Sequence, residues 1–181
     1  MTGWVHREGW RAQADDAAQM RRLGVDVGQV LRAGDLVVLD GPLGAGKTTF
    51  VQGIGEGLGV RGPITSPTFV IARKHPGPRV PLVHVDAYRV GAGLEIDDLD
   101  LDADSDASVT VVEWGVGKVE RLGQSRLDIS IDRPPPAMPV GSGGPSSSLA
   151  ADEGSDPAGG PRTVVVRSVG VRWAGLVLPA Q

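Results

Sequence analysis

A phosphate-binding loop is the clearest chemical signal in this chain. Residues 41–48 read Gly-Pro-Leu-Gly-Ala-Gly-Lys-Thr, which matches the pattern G-x-x-x-x-G-K-T. In that pattern the glycines free backbone amides to point at phosphate oxygens, Lys47 reaches the β and γ phosphates, and the Thr48 hydroxyl completes a magnesium shell. The octapeptide therefore predicts a nucleotide and Mg²⁺ as ligands. The candidate nucleotide-binding residues in and beside the loop are Gly41, Leu43, Gly44, Ala45, Gly46, Lys47, Thr48 and Thr49.

The flanks of this loop have the patterns that a phosphate site needs. The apolar run Leu36–Asp40 precedes the loop and is typical of a buried strand, and Thr49–Ile54 begins a helix. A helix N-terminus attracts anions because its first amides lack partners within the helix. The order strand, loop, helix favours a phosphate site over a glycine-rich turn without a ligand.

Two acidic residues end predicted strands and are candidates for the metal and the chemistry. Asp86 follows the apolar segment Val80–Val85, and Glu113 follows Val109–Val112. Ligands of open α/β sheets bind at the carboxyl ends of the strands, and phosphate-loop enzymes hold Mg²⁺ with the loop hydroxyl and a strand-end acid. Thr48, Asp86 and Glu113 are therefore the predicted metal-site residues. The sequence leaves open which of the two acids is the direct ligand.

Other polar and aromatic residues stand close to these acids along the chain. His84 lies two residues before Asp86 on the same predicted strand, so the two side chains point the same way and could form a metal-binding pair. Because a nucleotide site binds a hard cation, which prefers oxygen ligands, His84 is favoured instead as a packing or supporting residue. Pro67 biases Ser66 away from helix, so Ser66 and Thr68 are expected in an extended or turning segment that can cover a nucleotide as a switch. Trp114 follows the second acid and is expected to contact the ligand.

The spacing of apolar residues predicts one α/β domain over residues 1–181. An amphipathic helix is expected between Ala12 and Arg32, and 40% apolar content in 181 residues supports one core. The predicted architecture is a P-loop nucleotide-binding domain whose mixed sheet has parallel central strands, antiparallel flanking strands and helices on both faces. Strands are predicted at Leu36–Asp40, Thr68–Arg73, Val80–Val85, Val109–Glu113, Arg126–Ile131 and Thr163–Trp173. Within Arg126–Ile131, apolar and polar residues alternate, which suggests an edge strand with one wet face.

Composition excludes several classes of function. The formal charge of -4 argues against a broad nucleic-acid-binding face, and the absence of cysteine excludes disulfides and thiolate metal sites. The chain has no asparagine, so the N-K-x-D guanine motif is missing and adenine is the better base. The N-terminus lacks the apolar stretch of a signal peptide and no run reaches membrane-spanning length, so no membrane contact and a cytoplasmic location are expected.

A segment near the C-terminus has the composition of an insertion. Residues 134–161 include seven Pro, six Gly and five Ser among 28 residues. Such a segment has too few apolar side chains to bury, so it is predicted to be a disordered surface insertion between two strands.

Four blocks of sequence together resemble one known family. They are Gly-Pro-Leu-Gly-Ala-Gly-Lys-Thr-Thr at 41–49, Ser-Pro-Thr-Phe at 66–69, His-Val-Asp-Ala-Tyr-Arg at 84–89 and Glu-Trp at 113–114. In order and spacing they resemble the TsaE (YjeE) family of bacterial ATPases, which supports threonylcarbamoyladenosine formation on tRNA. The resemblance implies a small α/β protein that binds ATP and Mg²⁺, hydrolyses ATP slowly by itself and acts in complex with TsaD and TsaB.

The resemblance also implies roles for single residues. Lys47 would be the phosphate lysine, Thr48 the magnesium hydroxyl, Asp86 the acid of the H-x-D-x-Y-R block, and Glu113 with Trp114 the pair essential for activity. Transfer of the threonylcarbamoyl group would take place on TsaD, so tRNA would be reached only through the partners. One departure is visible, because family members commonly carry an acid two residues after the Glu-Trp pair and this chain has valine there.

Two other functions use the same loop. A small-molecule kinase is the main alternative, although it ordinarily needs an arginine-rich lid and the region after Arg89 is acidic. A nucleotide-gated binding module, whose hydrolysis only resets a complex, is the other. Phosphorylation of a metabolite acceptor would distinguish the kinase from both remaining readings.

Overall fold

The computed structural model of this protein describes residues 4–6, 9–89, 106–119, 123–133 and 160–179. The predicted insertion lies outside the described residues except at its last two positions. The strands and α-helices in chain order are β1 (Val5–His6), β2 (Trp10–Ala14), α1 (Ala17–Val30), β3 (Leu36–Asp40), α2 (Lys47–Leu58), β4 (Ala72–His75), β5 (Leu82–Asp86), β6 (Val109–Glu113), β7 (Arg126–Asp132) and β8 (Arg162–Val169). Short 3₁₀ helices span Ala87–Arg89 and Val171–Trp173.

One mixed sheet contains all the described strands, in the order β1-β2-β8-β7-β3-β6-β5-β4. Strands β7, β3, β6 and β5 run parallel to one another in the centre. The strands at both flanks pair antiparallel, with β8, β2 and β1 on one side and β4 on the other. The predicted sheet with a parallel centre and antiparallel flanks is therefore confirmed.

The prediction that β7 is an edge strand is wrong. β7 pairs with β3 on one side and β8 on the other, and Leu127, Ile129 and Ile131 are buried while their neighbours are partly exposed. Alternation of apolar and polar residues reports that one face of a strand is wetter than the other. It does not report whether the strand has one or two hydrogen-bonded neighbours.

The two faces of the sheet have separate hydrophobic cores. Val37 and Leu39 of β3 face the larger core. Both α-helices contribute to this core, for example through Leu23 of α1 and Phe50 of α2. Val38, on the opposite face, belongs to a smaller core that includes Val85, Ala87 and Val119. Within the described residues, both α-helices therefore pack on the face with the larger core. The helical element on the face with the smaller core is the 3₁₀ helix Ala87–Arg89.

Several element boundaries differ from those predicted. The predicted strand Thr68–Arg73 starts instead at Ala72, because residues 68–70 form a turn before the chain pairs with β5. The last strand ends at Val169 and gives way to a 3₁₀ helix. Helix α1 begins at Ala17 because the Asp16 side chain accepts a hydrogen bond from the Gln19 amide, which caps the helix.

Glycines bring the backbones of α1 and α2 into direct contact. A Cβ at Gly24 would lie 2.2 Å from the Phe50 carbonyl oxygen, and a Cβ at Gly53 would lie 2.0 Å from the Arg21 carbonyl oxygen. Gly28 makes the same kind of close approach one turn later in α1. These glycines, which look like interruptions in the sequence pattern, fix the distance between α1 and the helix that follows the phosphate loop.

We expect Gly53→Ala to lower the free energy of unfolding by roughly 1 to 3 kcal/mol, because the methyl group would meet fixed backbone in a packed interface. Alanine has the higher helix propensity by about 1 kcal/mol, so the loss would occur against that gain. Gly55→Ala is the matched control in the same helix, since its methyl group would meet the movable Ile64 Cδ1. Urea denaturation measures both, and equal stability of the two variants would contradict the packing argument.

Candidate active site

The glycine loop connects β3 to α2 through backbone conformations that other residues rarely adopt. Gly41, Gly44 and Gly46 have φ angles of 149°, 74° and 101°. Gly46 is the N-cap of α2, so the helix begins at Lys47 with its first amides at the end of the loop. A Cβ at Gly41 would lie 2.5 Å from the carbonyl oxygen of Ile131, so the loop packs directly on β7. This is the geometry that a phosphate-binding loop requires.

A cleft of about 1050 Å³ opens beside the loop. All of the predicted site residues line it except Gly41, the first residue of the loop, which is buried. The predicted residues that line the cleft are Leu43, Gly44, Ala45, Gly46, Lys47, Thr48, Thr49, Ser66, Thr68, Asp86, Glu113 and Trp114. The fold therefore brings together residues from four separate sequence blocks.

Sequence reasoning missed one end of this cleft. Its further lining residues are Asp15, Asp16, Ala17, Ala18, Met20, Tyr88 and Arg162. Most of them lie at the start of α1, which approaches the loop closely enough that a Cβ at Gly46 would sit 3.5 Å from the Met20 side chain. A signal for the helix start was present in the spacing D-x-x-Q, because the Asp16 side chain accepts from the Gln19 amide and Gln19 Oε1 accepts from the Asp15 amide.

Lys47 is buried and held by the protein itself. Its Nζ donates to the carbonyl oxygens of Gly41 at 2.7 Å and Pro42 at 3.0 Å, and it lies 3.7 Å from the centroid of the Trp114 ring. Burial lowers the pKa of Lys47, while the charges of Glu113, Asp40 and Asp86 act in the opposite direction. The site thus keeps a partly desolvated lysine amine among carboxylates, next to the loop where phosphates are predicted to bind.

The two strand-end acids lie side by side at one edge of the sheet. Asp86 and Glu113 are register partners on the parallel strands β5 and β6, and both are buried. The Thr48 hydroxyl lies 3.4 Å from Glu113 Oε1, and His84 Nε2 lies 2.8 Å from the same oxygen. His84 binds Glu113 and is not among the residues that line the cleft.

Asp86 connects the predicted switch segment to the site. The Thr68 hydroxyl donates to Asp86 Oδ2 at 2.6 Å, and Ser66 Oγ lies 2.6 Å from Thr68 Oγ1. The other oxygen, Oδ1, accepts from the Tyr88 amide at 3.0 Å. A change in what Asp86 binds would therefore reach Thr68 directly and Ser66 through Thr68.

Trp114 sits at a sharp change of chain direction. It follows the last residue of β6 and has a φ angle of 61°, a conformation that costs most residues roughly 1 to 2 kcal/mol. Its amide donates to the Leu39 carbonyl, and its ring lies 5.3 Å from the Tyr88 ring and against Lys47. Strain of this kind is common at functional sites, and here it places an indole over the loop lysine.

The fold and the loop together define an α/β protein of the P-loop class. A family model described as "Threonylcarbamoyl adenosine biosynthesis protein TsaE" matches residues 14–136. The chain belongs to the TsaE family, whose members take part in tRNA threonylcarbamoyladenosine biosynthesis. The resemblance seen in the four sequence blocks is therefore confirmed.

Individual relatives agree with this family. The chain is 54% identical over 158 residues to "tRNA threonylcarbamoyladenosine biosynthesis protein TsaE" of Streptomyces coelicolor, covering 86% of this chain and 94% of that protein. A protein of the same name from Mycobacterium tuberculosis is 54% identical over 121 residues, covering 61% and 71%. The crystal structure of Bacillus subtilis YdiB superposes with a TM-score of 0.64 at 27% identity, covering 96% of this chain and 91% of that one. Among the described residues, none of the helices has the length and apolar character needed to cross a membrane.

Proposed function

We propose that this protein binds ATP with Mg²⁺ in the cleft, hydrolyses it slowly by itself, and acts on a TsaD–TsaB complex to support threonylcarbamoyladenosine formation on tRNA. One observation carries the proposal. The loop lysine, the loop hydroxyl and two strand-end carboxylates converge on one cleft, as Lys47, Thr48, Asp86 and Glu113. These are the group types that bind a triphosphate and its metal in P-loop proteins.

The donor groups at the sheet edge fit a magnesium ion. Mg²⁺ prefers oxygen ligands and is usually bound through one or two carboxylates together with phosphate oxygens of the substrate. Thr48, Asp86 and Glu113 offer one hydroxyl and two carboxylates, and the histidine nearby is already engaged with Glu113. When bound, the ion would neutralise negative charge on the phosphates.

The cleft also fits a whole nucleotide. Ligand pockets commonly measure roughly 300 to 1000 Å³, and the volume of this cleft is just above that range. The loop and the N-terminus of α2 would hold the phosphates, which leaves the end near Asp15, Asp16 and Arg162 for the nucleoside. Because the chain lacks asparagine and therefore the N-K-x-D guanine motif, we propose adenine as the base.

Glu113 and Asp86 are the residues that we propose for the chemical step. A carboxylate beside the phosphates can orient or accept a proton from an attacking water. Lys47 would stabilise charge on the transferring phosphoryl group, and Trp114 would hold Lys47 in place through the ring contact. Slow turnover by the isolated protein is proposed because TsaE-type action implies completion of the site by a partner.

Exposed apolar side chains support a partner surface next to the cleft. Leu43 and Tyr88 line the cleft and are 90% and 65% exposed, and Phe69 in the neighbouring segment is 86% exposed. Large exposed apolar groups are enriched at interaction sites. We propose that this side of the cleft meets the TsaD–TsaB complex, which would sense the nucleotide through the same residues.

Calorimetry and turnover assays test the proposal in sequence. Titration with ATP, ADP and GTP in the presence of Mg²⁺ should show binding of the adenine nucleotides, and ATP hydrolysis should rise when TsaD and TsaB are added. Co-purification with those proteins should depend on Mg²⁺ and ATP. Absence of ATP binding with and without the partners would overturn the proposal, and phosphate transfer to an acceptor in a metabolite panel would favour the kinase.

A further inference from the structure

A fully buried histidine contacts the site through one acidic residue. His84 lies on β5, its side chain has no exposed area, and its Nε2 is 2.8 Å from Glu113 Oε1. Glu113 lines the cleft, whereas His84 does not. Among the described residues, the hydrogen bond to Glu113 is therefore the side-chain hydrogen bond that connects His84 to the cleft.

The direction of this hydrogen bond follows from the chemistry of the two groups. An ionised carboxylate can only accept, so the imidazole donates from Nε2–H, and in the neutral ring Nδ1 is then the acceptor nitrogen. Within the described part of the chain, His84 Nδ1 has no hydrogen-bond partner. Among the described residues, the contact with Glu113 is thus the one hydrogen bond of this buried ring, whose chain neighbours Val83 and Val85 are aliphatic.

Two donors converge on the same oxygen of Glu113. Oε1 lies 2.8 Å from His84 Nε2 and 3.4 Å from the Thr48 hydroxyl. No group among the described residues makes a hydrogen bond to Oε2. Restraint at one oxygen limits rotation of the carboxylate and leaves the other oxygen without a hydrogen-bond partner among the described residues.

We infer that His84 is a positioning residue for Glu113, which it orients so that Oε2 meets the reacting groups in the cleft. The inference rests on the proposed function, in which Glu113 acts in ATP hydrolysis. Orientation matters because a displacement of about 1 Å in a reacting group can cost roughly 10²-fold in rate. An aliphatic residue at this position would fill the core equally well but would leave the carboxylate free to rotate.

A pair of amide variants separates positioning from packing. The Gln side chain places its Nε2 near the position of the imidazole Nε2, whereas Asn reaches only the position of Nδ1. We expect His84→Asn to lower kcat at least about tenfold with KM for ATP within about threefold, and His84→Gln to retain most of kcat. Equal kcat values for the two variants, or a change in KM alone, would overturn the positioning role.

The same variant in a Glu113→Gln background tests whether the effect passes through Glu113. If His84 acts only by orienting that carboxylate, His84→Asn should lower kcat no further once the carboxylate has been removed. A full additional loss in the double variant would show that His84 acts by another route and would overturn the inference.

A measurement without nucleotide tests the contact itself. In protein labelled with ¹⁵N-histidine, long-range ¹H–¹⁵N spectra should show the Nε2–H form of His84 with a slowly exchanging proton, and Glu113→Ala should make that proton exchange fast. The His84→Gln spectrum assigns the signal. If the unmodified protein hydrolyses no ATP, the proposed function fails, but the spectra still test the hydrogen bond between His84 and Glu113. If the His84 proton exchanges fast in the unmodified protein, the positioning inference fails and the proposed function is unaffected.

Discussion

Replacing Lys47 by alanine is expected to weaken binding of Mg·ATP by at least roughly 100-fold, which corresponds to about 2.7 kcal/mol. Burial lowers the pKa of this amine, and the nearby charges of Glu113, Asp40 and Asp86 oppose that shift. Without the lysine, a triphosphate would enter a site that contains carboxylates but no buried cation from the loop. Calorimetric titration of the nucleotide-free protein with Mg·ATP measures the effect directly.

The matched control is Lys74→Ala, which removes the same charge from an exposed position on β4. Its affinity for Mg·ATP should stay within about threefold of the unmodified protein, because exposed charges at a distance are screened. Lys47 also donates to two loop carbonyls, so the melting temperature of Lys47→Ala must be measured alongside. A folded Lys47→Ala protein that binds Mg·ATP with unchanged affinity would show that the loop is not a phosphate site.

The centre of the site could be predicted from sequence because its determinants are local. The loop pattern itself fixes Gly41 and Gly46, and both residues have the positive φ angles that glycine adopts readily. Asp86 and Glu113 follow from a second rule, since acids that end parallel strands lie at one edge of the sheet. Neither rule needs information about residues far away in the chain.

The remaining parts depend on contacts between distant segments. Strand β2 pairs with β8, so that Trp10 lies opposite Val166, and no local pattern specifies such a partner. The same pairing brings Arg162 to the cleft beside the start of α1. Gly24 and Gly53 likewise have low helix propensity. The reason for glycine at these positions is the close contact between the backbones of α1 and α2, which the local sequence does not show.

The position of the Trp114 ring is a third feature that the sequence did not specify. The sequence placed an aromatic residue next to Glu113 and predicted contact with the ligand, but it did not indicate the ring's position over Lys47. That position depends on the backbone φ angle of 61° at Trp114. Residues other than glycine seldom adopt such an angle, and the pattern of residue types does not predict it. The hydrogen bond of His84 to Glu113 similarly needs the register of β5 with β6.

Replacing Glu113 by glutamine is expected to lower kcat for ATP hydrolysis by at least roughly 100-fold and to leave the affinity for Mg·ATP within about threefold. Glutamine keeps the size of the side chain and an oxygen that can accept from His84 and Thr48. It lacks the charge and basicity that general base catalysis requires, and loss of such a group typically costs roughly 10² to 10⁴ in rate. Turnover and calorimetric titration on the same preparation measure the two quantities.

The comparison with Asp86→Asn distinguishes a chemical role from a metal-binding role. Whichever acid binds Mg²⁺ directly should, when neutralised, raise the Mg²⁺ concentration needed for half-maximal turnover, because a lost carboxylate ligand can be offset by more metal. If Glu113 acts on water, its variant should remain slow at every Mg²⁺ concentration while the Asp86 variant recovers. Recovery of Glu113→Gln at high Mg²⁺ would instead assign Glu113 to the metal, and turnover equal to that of the unmodified protein would remove it from both roles.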